Sequence, residues 1–353
     1  MTKEQILETL KTVKYPGLDR DIVSFGFVKE VEVQGDKVKV FLQVSTKDPA
    51  NLRKIEDEVR AVVQKVSGVK TVEIDASPSQ TGRSAEKGPD PWAGRAPVPG
   101  VKNIIAVASG KGGVGKSTVA VNLAVALREL GYHVGIMDAD IYGPSLQIMM
   151  GIHQRPLAQG NQIIPLEKDG IKLMSVGFLL DQRSPVIWRG PMVTKMVQQF
   201  LKNVLWGELD FLIIDLPPGT GDTQLTLVQT TPLSGAVIVT TPQDVALIDA
   251  RRGLEMFNKV NTRVLGIVEN MSYFQCPHCG ERTDIFSSGG GERVAAELGV
   301  SLLAEIPLDP AIREGGDRGN PIVQAQPENP QTKTFKDLAT RIAGLLEPSS
   351  VQV

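Results

Sequence analysis

The 353-residue sequence predicts an α/β fold: a doubly wound, mostly parallel sheet over residues 101–353, preceded by a small α/β two-layer domain over 1–76 and a linker over 77–100. Three observations predict it. Short runs that are apolar throughout recur from residue 101 onward, as in strands covered by helices on both faces. Helical patterns separate most of these runs, the order that builds a parallel sheet. One run, at 104–108, passes through the glycine-rich turn SGKGGVGKST into the amphipathic pattern VAVNLAVALREL. That is strand, loop, helix.

Taken in order, residues 5–13 form a first helical pattern with Ile6, Leu7, Leu10 and Val13 on one face, ended by Tyr15-Pro16-Gly17. Alternating strands at 28–33 and 37–44 meet across Gly35-Asp36 as a hairpin. A second helix within 48–66 aligns Leu52, Ile55, Val59, Val62, Val63 and Val66, and a strand at 69–74 completes an α-β-β-α-β unit. The linker is rich in Pro, Gly and Ser; its Trp92 reads as an anchor on one domain or as a partner site. The later strands are expected at 104–108, 133–137, 171–176, 211–214, 236–240, 264–268 and 302–306, with ligands gathering at their carboxyl ends.

Composition narrows the function classes. Lys and Arg number 38 against 40 Asp and Glu, a balance without the positive footprint of a nucleic-acid binder. No apolar run approaches the ~18 residues of a membrane span, and MTKEQILETL lacks the apolar core of a secretory signal. The chain reads as soluble and cytoplasmic, with no nucleic-acid or membrane partner.

Gly110, Gly115, Lys116 and Ser117 satisfy G-x-x-x-x-G-K-[ST], the phosphate-binding loop of P-loop NTPases. Glycines let successive N–H groups converge on an anion, and the helix beginning near Lys116 adds its positive end. Lys116 is expected to neutralise the β- and γ-phosphates, with the Ser117 hydroxyl on Mg²⁺. The same sheet edge collects Asp138 and Asp140 after HVGIM and Asp215 at the end of FLIID. Asp215 suits Mg²⁺ held through water, or a helix cap. Asp140 could position an attacking water, or cap the next segment. Pro217-Pro218-Gly219 makes a stiff turn whose backbone N–H could sense a γ-phosphate. The stretch Asn258-Lys259-Val260-Asn261 lacks the aspartate of the guanine-reading N-K-x-D, which favours ATP.

Both cysteines lie in Cys276-Pro277-His278-Cys279. Such a pair supplies two soft ligands, whereas zinc sites and iron-sulfur clusters usually need four. A symmetric dimer completes the set by donating Cys276 and Cys279 from each copy. A thiol redox site or regulatory disulfide is the alternative, although the following GERTDIFSSGGG reads as loop rather than helix.

With Lys111 early in the loop, GKGGVGKST resembles the deviant Walker-A motif of the MinD/ParA/nitrogenase-iron-protein class. Within that class the chain resembles the Mrp/ApbC iron-sulfur carrier ATPases over nearly its whole length. The pieces are YPGLDRDIVSFGFV, MDADIYGPSL, WRGPM at 188–192, IIDLPPGTGD and ENMSYFQCPHCG. The resemblance implies a homodimer bridging a labile 4Fe-4S cluster, ATP hydrolysis, receipt of the cluster from an upstream scaffold and its delivery to apo iron-sulfur proteins. It also implies that Lys111 reaches the partner's nucleotide, that Gly110, Gly112, Gly113, Val114, Gly115, Lys116, Ser117 and Thr118 enclose the phosphates, and that Asp140 is the switch carboxylate. Asp215 becomes the Walker-B residue and Asn270 a base contact. The small N-terminal domain resembles that of iron-sulfur assembly factors; it lacks the cysteine some relatives carry, so no cluster is expected there. Two rivals are a positioning ATPase, using an amphipathic C-terminal helix with Phe335, Leu338, Ile342 and Leu346, and an electron-transfer ATPase of the nitrogenase-reductase type.

Overall fold

A computed structural model describes residues 3–13, 21–23, 27–44, 49–66, 68–69, 71–78, 95–180, 188–276 and 278–346. Trp92, Tyr15-Pro16-Gly17 and Pro277 lie outside the described residues. The chain divides into two compact units, Met1–Asp90 and Pro91–Val353.

The first unit runs α1 (Lys3–Leu10), β1 (Val28–Gln34), β2 (Lys37–Val44), α2 (Pro49–Val63) and β3 (Thr71–Pro78), in the expected order. β1 and β2 are antiparallel around Gly35, and β3 adds parallel to β2. Val38, Val40 and Leu42 share one face of β2 because side chains alternate along a strand, and they meet Ile6, Leu10, Ile55, Val59 and Val63 of the helices. α1 ends at Leu10 rather than at residue 13. The Val13 N–H donates to Leu10 O at 3.1 Å and Thr12 Oγ1 to Thr9 O at 2.7 Å, a tight turn that brings Val13 into the core without another helical turn.

The second unit opens with β4 (Val101–Ala108), α3 (Lys116–Glu129), β5 (Val134–Asp138) and α4 (Leu146–Met149). Three short strands follow, β6 (Leu157–Gln159), β7 (Gln162–Ile164) and β8 (Leu166–Lys168), before β9 (Ile171–Ser175), α5 (Gly190–Asn203) and β10 (Leu209–Asp215). The chain continues through α6 (Asp222–Thr230), β11 (Gly235–Thr240), α7 (Asp244–Lys259) and β12 (Val264–Gln275). It ends with β13 (Arg282–Thr283), α8 (Gly290–Leu298), β14 (Leu302–Leu308), α9 (Pro310–Asp317), α10 (Ile322–Ala325) and α11 (Pro330–Leu346).

Every strand expected after residue 100 is present, in the spatial order β14-β12-β11-β4-β10-β5-β9, all parallel. Alternation divides the core. Ile105 and Val107 of β4 pack with Leu123 and Leu127 of α3 and Phe335 and Leu338 of α11. Ile104, Ala106 and Ala108 pack on the other face with Phe200 of α5, Leu227 of α6 and Phe257 of α7. Both faces are therefore covered, which is why these strands read as continuous apolar runs.

The sequence reading missed β6, β7, β8 and β13, and ended β12 at 268. Each missed strand has three residues or fewer; β6 is exposed throughout, so no apolar pattern betrays it. The apolar face of α11 is spent on the core: Phe335, Leu338 and Ile342 are fully buried, which removes the free face a membrane-lying helix needs. Among the described residues no helix is long and apolar enough to cross a membrane.

Candidate functional site

The loop between β4 and α3 is shaped by its glycines. Gly113 and Gly115 both take φ of 80°, the left-handed region, and Gly115 sits at the N-cap of α3 without a side-chain cap. The first N–H groups of that helix are thus left for an anion. At Gly110 a Cβ would fall 2.2 Å from the Asp249 backbone, and at Gly115 it would fall 2.1 Å from Asn270 Nδ2. That close approach lets Asn270 Nδ2 donate to Val114 O at 2.9 Å, so Asn270 supports the loop from beneath. Ser109, Gly112, Gly113, Lys116, Ser117, Thr118 and Asp140 help line a cradle of about 310 Å³.

Its charges are buried and paired. Lys116 Nζ lies 2.5 Å from Asp215 Oδ1 and 3.4 Å from Ser117 Oγ. Burial pushes the Asp215 carboxyl above its ordinary value, and the Lys116 ammonium pulls it back. Asp215 caps no helix, since α6 starts from Gly221. A hydroxyl and a carboxylate on one ammonium form a hard-oxygen pair that suits Mg²⁺. Asp140 Oδ1 accepts from Gly143 N at 3.2 Å and so ties its own turn, while the carboxyl still lines the cradle.

Asp138 is the hidden member. Its Oδ1 accepts from Asp140 N at 3.0 Å, and its Oδ2 from Ser145 N at 3.1 Å, Leu146 N at 3.3 Å and Ser175 Oγ at 3.1 Å. Burial, and next the Asp215 charge, push it up to about 7 against the pull of Lys116. A folded-state value above the ordinary 3.8 means that folding takes up a proton, so this contribution to stability is complete below that value and is lost as pH rises through about 7. Thermal midpoints of the protein and of an Asp138→Asn variant, compared between about pH 5 and about pH 8, are expected to move in the variant's favour as pH rises. A pH-independent difference would overturn this.

Around the cradle, Lys111 Nζ donates to Gln243 Oε1 of its own chain at 3.2 Å. The Gly219 N–H, expected to sense phosphate, donates to Ser109 O at 2.8 Å and joins the Pro217–Gly219 turn to the phosphate loop. Beside the cradle lies a second cavity of about 360 Å³, with Ile148, Met149, Met271, Pro307, Leu308 and Ile312 as apolar lining and Asn270 at its wall. Such walls suit a base. The 258–261 segment precedes the start of β12 and therefore lies at the opposite sheet edge, away from any nucleotide in the cradle.

β12 continues beyond Asn270 to the thiols. Met271 takes a φ of 55°, rare for a side chain of its size, where the register with β14 shifts between Asn270 and Phe274. The strand then reaches Gln275, and β13 pairs back on it through Phe274 with Thr283 and Gln275 with Arg282. Cys276 and Cys279 form the tip: Gly280 N donates to Cys276 O and Cys276 N to Glu281 O, both at 2.9 Å. Cys276 is half-buried and Cys279 exposed. The backbone N–H groups of Cys279 and His278, with the Cys279 side chain, hold the Cys276 thiol below its ordinary value. This is a hairpin tip, without the helix that activates a thioredoxin-type thiol. Among the described residues no group of three or more His, Cys, Asp and Glu could hold a metal ion. A groove of about 540 Å³ flanks Cys276 and shares Pro307, Leu308 and Asp309 with the apolar cavity.

Residues 100–343 match the profile of the ParA group described as NUBPL iron-transfer P-loop NTPase. The chain belongs to that family. Residues 3–75 of this family member match a second profile, that of an iron-sulfur cluster assembly protein. It is 48% identical over 351 residues to the iron-sulfur cluster carrier protein of Synechocystis, covering 98% of each chain. It is 50% identical over 260 residues to the iron-sulfur cluster transfer protein NUBPL of Dictyostelium discoideum, covering 73% of this chain and 80% of the relative. Among solved structures, the nucleotide-binding protein of Archaeoglobus fulgidus in complex with ADP superposes with a TM-score of 0.59 at 41% identity, covering 67% of this chain and 92% of that one. The cell division ATPase MinD of Pyrococcus furiosus follows at 0.54 and 28%, covering 69% of this chain and 99% of its own.

Sequence reasoning left Asp138 without a role and passed over Gln224, Gln243 and Met271. The doubled acid of Asp138-Ala139-Asp140 is a signal for the first; the others show only in the folded chain, Gln243 through Lys111, Gln224 through Pro217 and Gly219, and Met271 through its positive φ.

Proposed function

We propose that this NUBPL-family NTPase is an ATP-dependent carrier of an iron-sulfur cluster of the 4Fe-4S type, which it delivers to apo iron-sulfur proteins. The observation that carries the reading is one strand, β12, with Asn270 against the phosphate loop and a thiol pair at its tip. A cluster of this kind takes about four thiolates, so a twofold partner supplies the second pair of Cys276 and Cys279. The names borne by the Synechocystis and Dictyostelium relatives support the cargo.

Residues 110–118 enclose the triphosphate of ATP, and Asn270 stands at the base. Ser117 and Asp215 would hold Mg²⁺, which when bound spreads the negative charge of the β- and γ-oxygens. Lys116 leaves Asp215 to follow the phosphates, and Lys111 leaves Gln243 to reach the partner's nucleotide. Asp140 stands beside the attacking water. ATP hydrolysis changes how the two copies meet, and a site made of two halves responds to the angle between them. The domain at 101–353 performs this chemistry, joined through 77–100 to the domain at 1–76; an upstream scaffold supplies the cluster.

Anaerobic transfer tests the reading. Reconstituted protein, mixed with an apo 4Fe-4S enzyme, is expected to restore that enzyme's activity, and faster with Mg-ATP than without nucleotide. A cluster that cycles its redox state yet never leaves would point instead to electron transfer. A loaded form that sediments as a monomer would remove the bridging.

A further inference from the structure

β12 is irregular on its way from the nucleotide cavity to the thiols. Between the pairs Asn270–Ile306 and Phe274–Leu308 it has three residues, Met271, Ser272 and Tyr273, where β14 has only Pro307. Proline has no N–H for the ladder, so the two strands can fall out of step here, and a bulge of this kind re-aims the side chains around it. Met271 takes the backbone strain: its φ of 55° lies in the left-handed region, which a long apolar side chain seldom occupies. Such a conformation persists only where its surroundings hold it, and it is common in switching segments.

Each bulge residue is held differently. Met271 Cε lies 3.8 Å from the point a Cβ would take on Gly115, the N-cap of α3, and Met271, Gly115 and Pro307 all line the apolar cavity that suits a base. Ser272 is 1% exposed, with its Oγ 2.7 Å from Glu269 Oε1 and 3.2 Å from Glu305 Oε1, so the middle of the bulge is fastened in the core. Tyr273 lies under the guanidinium of Arg282 in β13, whose Cζ is 4.0 Å from the ring centroid. β13 is the return strand of the hairpin that carries Cys276 and Cys279. Pro307 and Leu308 border both the base cavity and the groove beside Cys276.

We infer that Met271 is a positioning residue through which nucleotide in the base cavity sets the pose of the Cys276–Cys279 hairpin; this rests on the proposed nucleotide binding and gives the ATP dependence of cluster transfer a physical route. A base filling the cavity packs against the Met271 side chain and so favours the left-handed conformation over a relaxed one with negative φ. The thioether suits that task, being flexible, polarisable and at home against a ring. Because Ser272 is fixed, a change of φ at Met271 is passed along the bulge to Tyr273, and from its ring to Arg282 and β13. Nucleotide thereby alters the direction in which the thiols face the partner's pair and leaves the ligands themselves unchanged.

Amide hydrogen exchange in the cluster-free full chain tests this without any transfer step. Mg-ATP is expected to slow exchange in the β12–β13 hairpin of the parent by about fivefold or more, the scale of an ordinary coupling between two sites. Met271→Gly accepts the positive φ without strain and removes the side chain. It is expected to abolish the slowing at saturating ATP, a condition that offsets an affinity loss of about tenfold or less from the missing side-chain contact. Met271→Leu keeps a Cβ and a side chain of similar volume, and should retain about half of the slowing or more. Arg282→Leu, at an exposed position, should lose the slowing with ATP affinity unchanged, and it decides alone should the glycine variant fail to fold. In loaded protein the acceleration of transfer by Mg-ATP should follow the same order. A parent that binds ATP with no change in hairpin exchange, or a glycine variant that keeps the full slowing, would overturn this inference and leave the carrier reading standing. Hairpin slowing in a parent that transfers no cluster would overturn the carrier reading and leave this one.

Discussion

Alanine at Cys276 is expected to take reconstituted protein from about four irons per dimer to almost none, with ATP binding unchanged. The effect is large because it is counted twice. Each copy offers two thiols and, among the described residues, nothing near enough to replace one, so a single substitution strips two ligands from a bridged site. Cys279→Ala should behave alike, whereas His278→Ala should retain iron, since a ring between the thiols is poorly placed to chelate with both. Iron and sulfide analysis beside sedimentation checks all three. Iron retained in either cysteine variant, or zinc in the parent, would sink the bridged cluster.

Lys116→Met should be the most damaging change in the cradle. It removes the cation facing the β- and γ-phosphates, for which a loss of about 100-fold to 1,000-fold in hydrolysis is expected from the scale of single electrostatic deletions. It also strands Asp215, whose carboxyl is buried at 2.5 Å from Lys116 Nζ with Asp138 as a second buried acid nearby. Breaking a buried pair from one side costs about 3–5 kcal/mol. Because burial already raises Asp215, protonation relieves part of that cost at low pH, so the loss of stability should be larger near pH 8 than near pH 6. The double change Lys116→Met with Asp215→Leu should recover most of the stability and none of the hydrolysis. Urea unfolding at the two pH values measures the first, and phosphate release the second. A single variant as stable as the parent would mean that the pair contributes little.

The architecture was legible because its causes are local. β4, β5, β10 and β11 are buried on both faces and read as unbroken apolar runs, and a glycine-rich turn before a helix has few uses other than holding an anion. The cysteine pair was equally plain, since it holds all the thiol sulfur in the chain.

The reach of β12 was not legible. After residue 268 it carries Glu269, Asn270 and Ser272, which no strand rule places in a core. All three are buried because partners distant in sequence receive them: Gly291 N donates to Glu269, Ser272 Oγ donates to Glu305 Oε1 at 3.2 Å, and Asn270 supports Val114. Gln224 is hidden more locally, a polar residue in a helix whose two acceptors are carbonyls of the preceding turn.

Periodicity and spacing, which depend only on neighbours along the chain, were enough to establish two domains' worth of α/β pattern, a phosphate loop and a closely spaced pair of thiols. Which polar groups share a buried charge, and that the strand bearing Asn270 runs on to end just before Cys276, depends on contacts between segments far apart in sequence. Such contacts exist only after the sheet has assembled, because burial then gives each polar atom a single partner where the unfolded chain offers water.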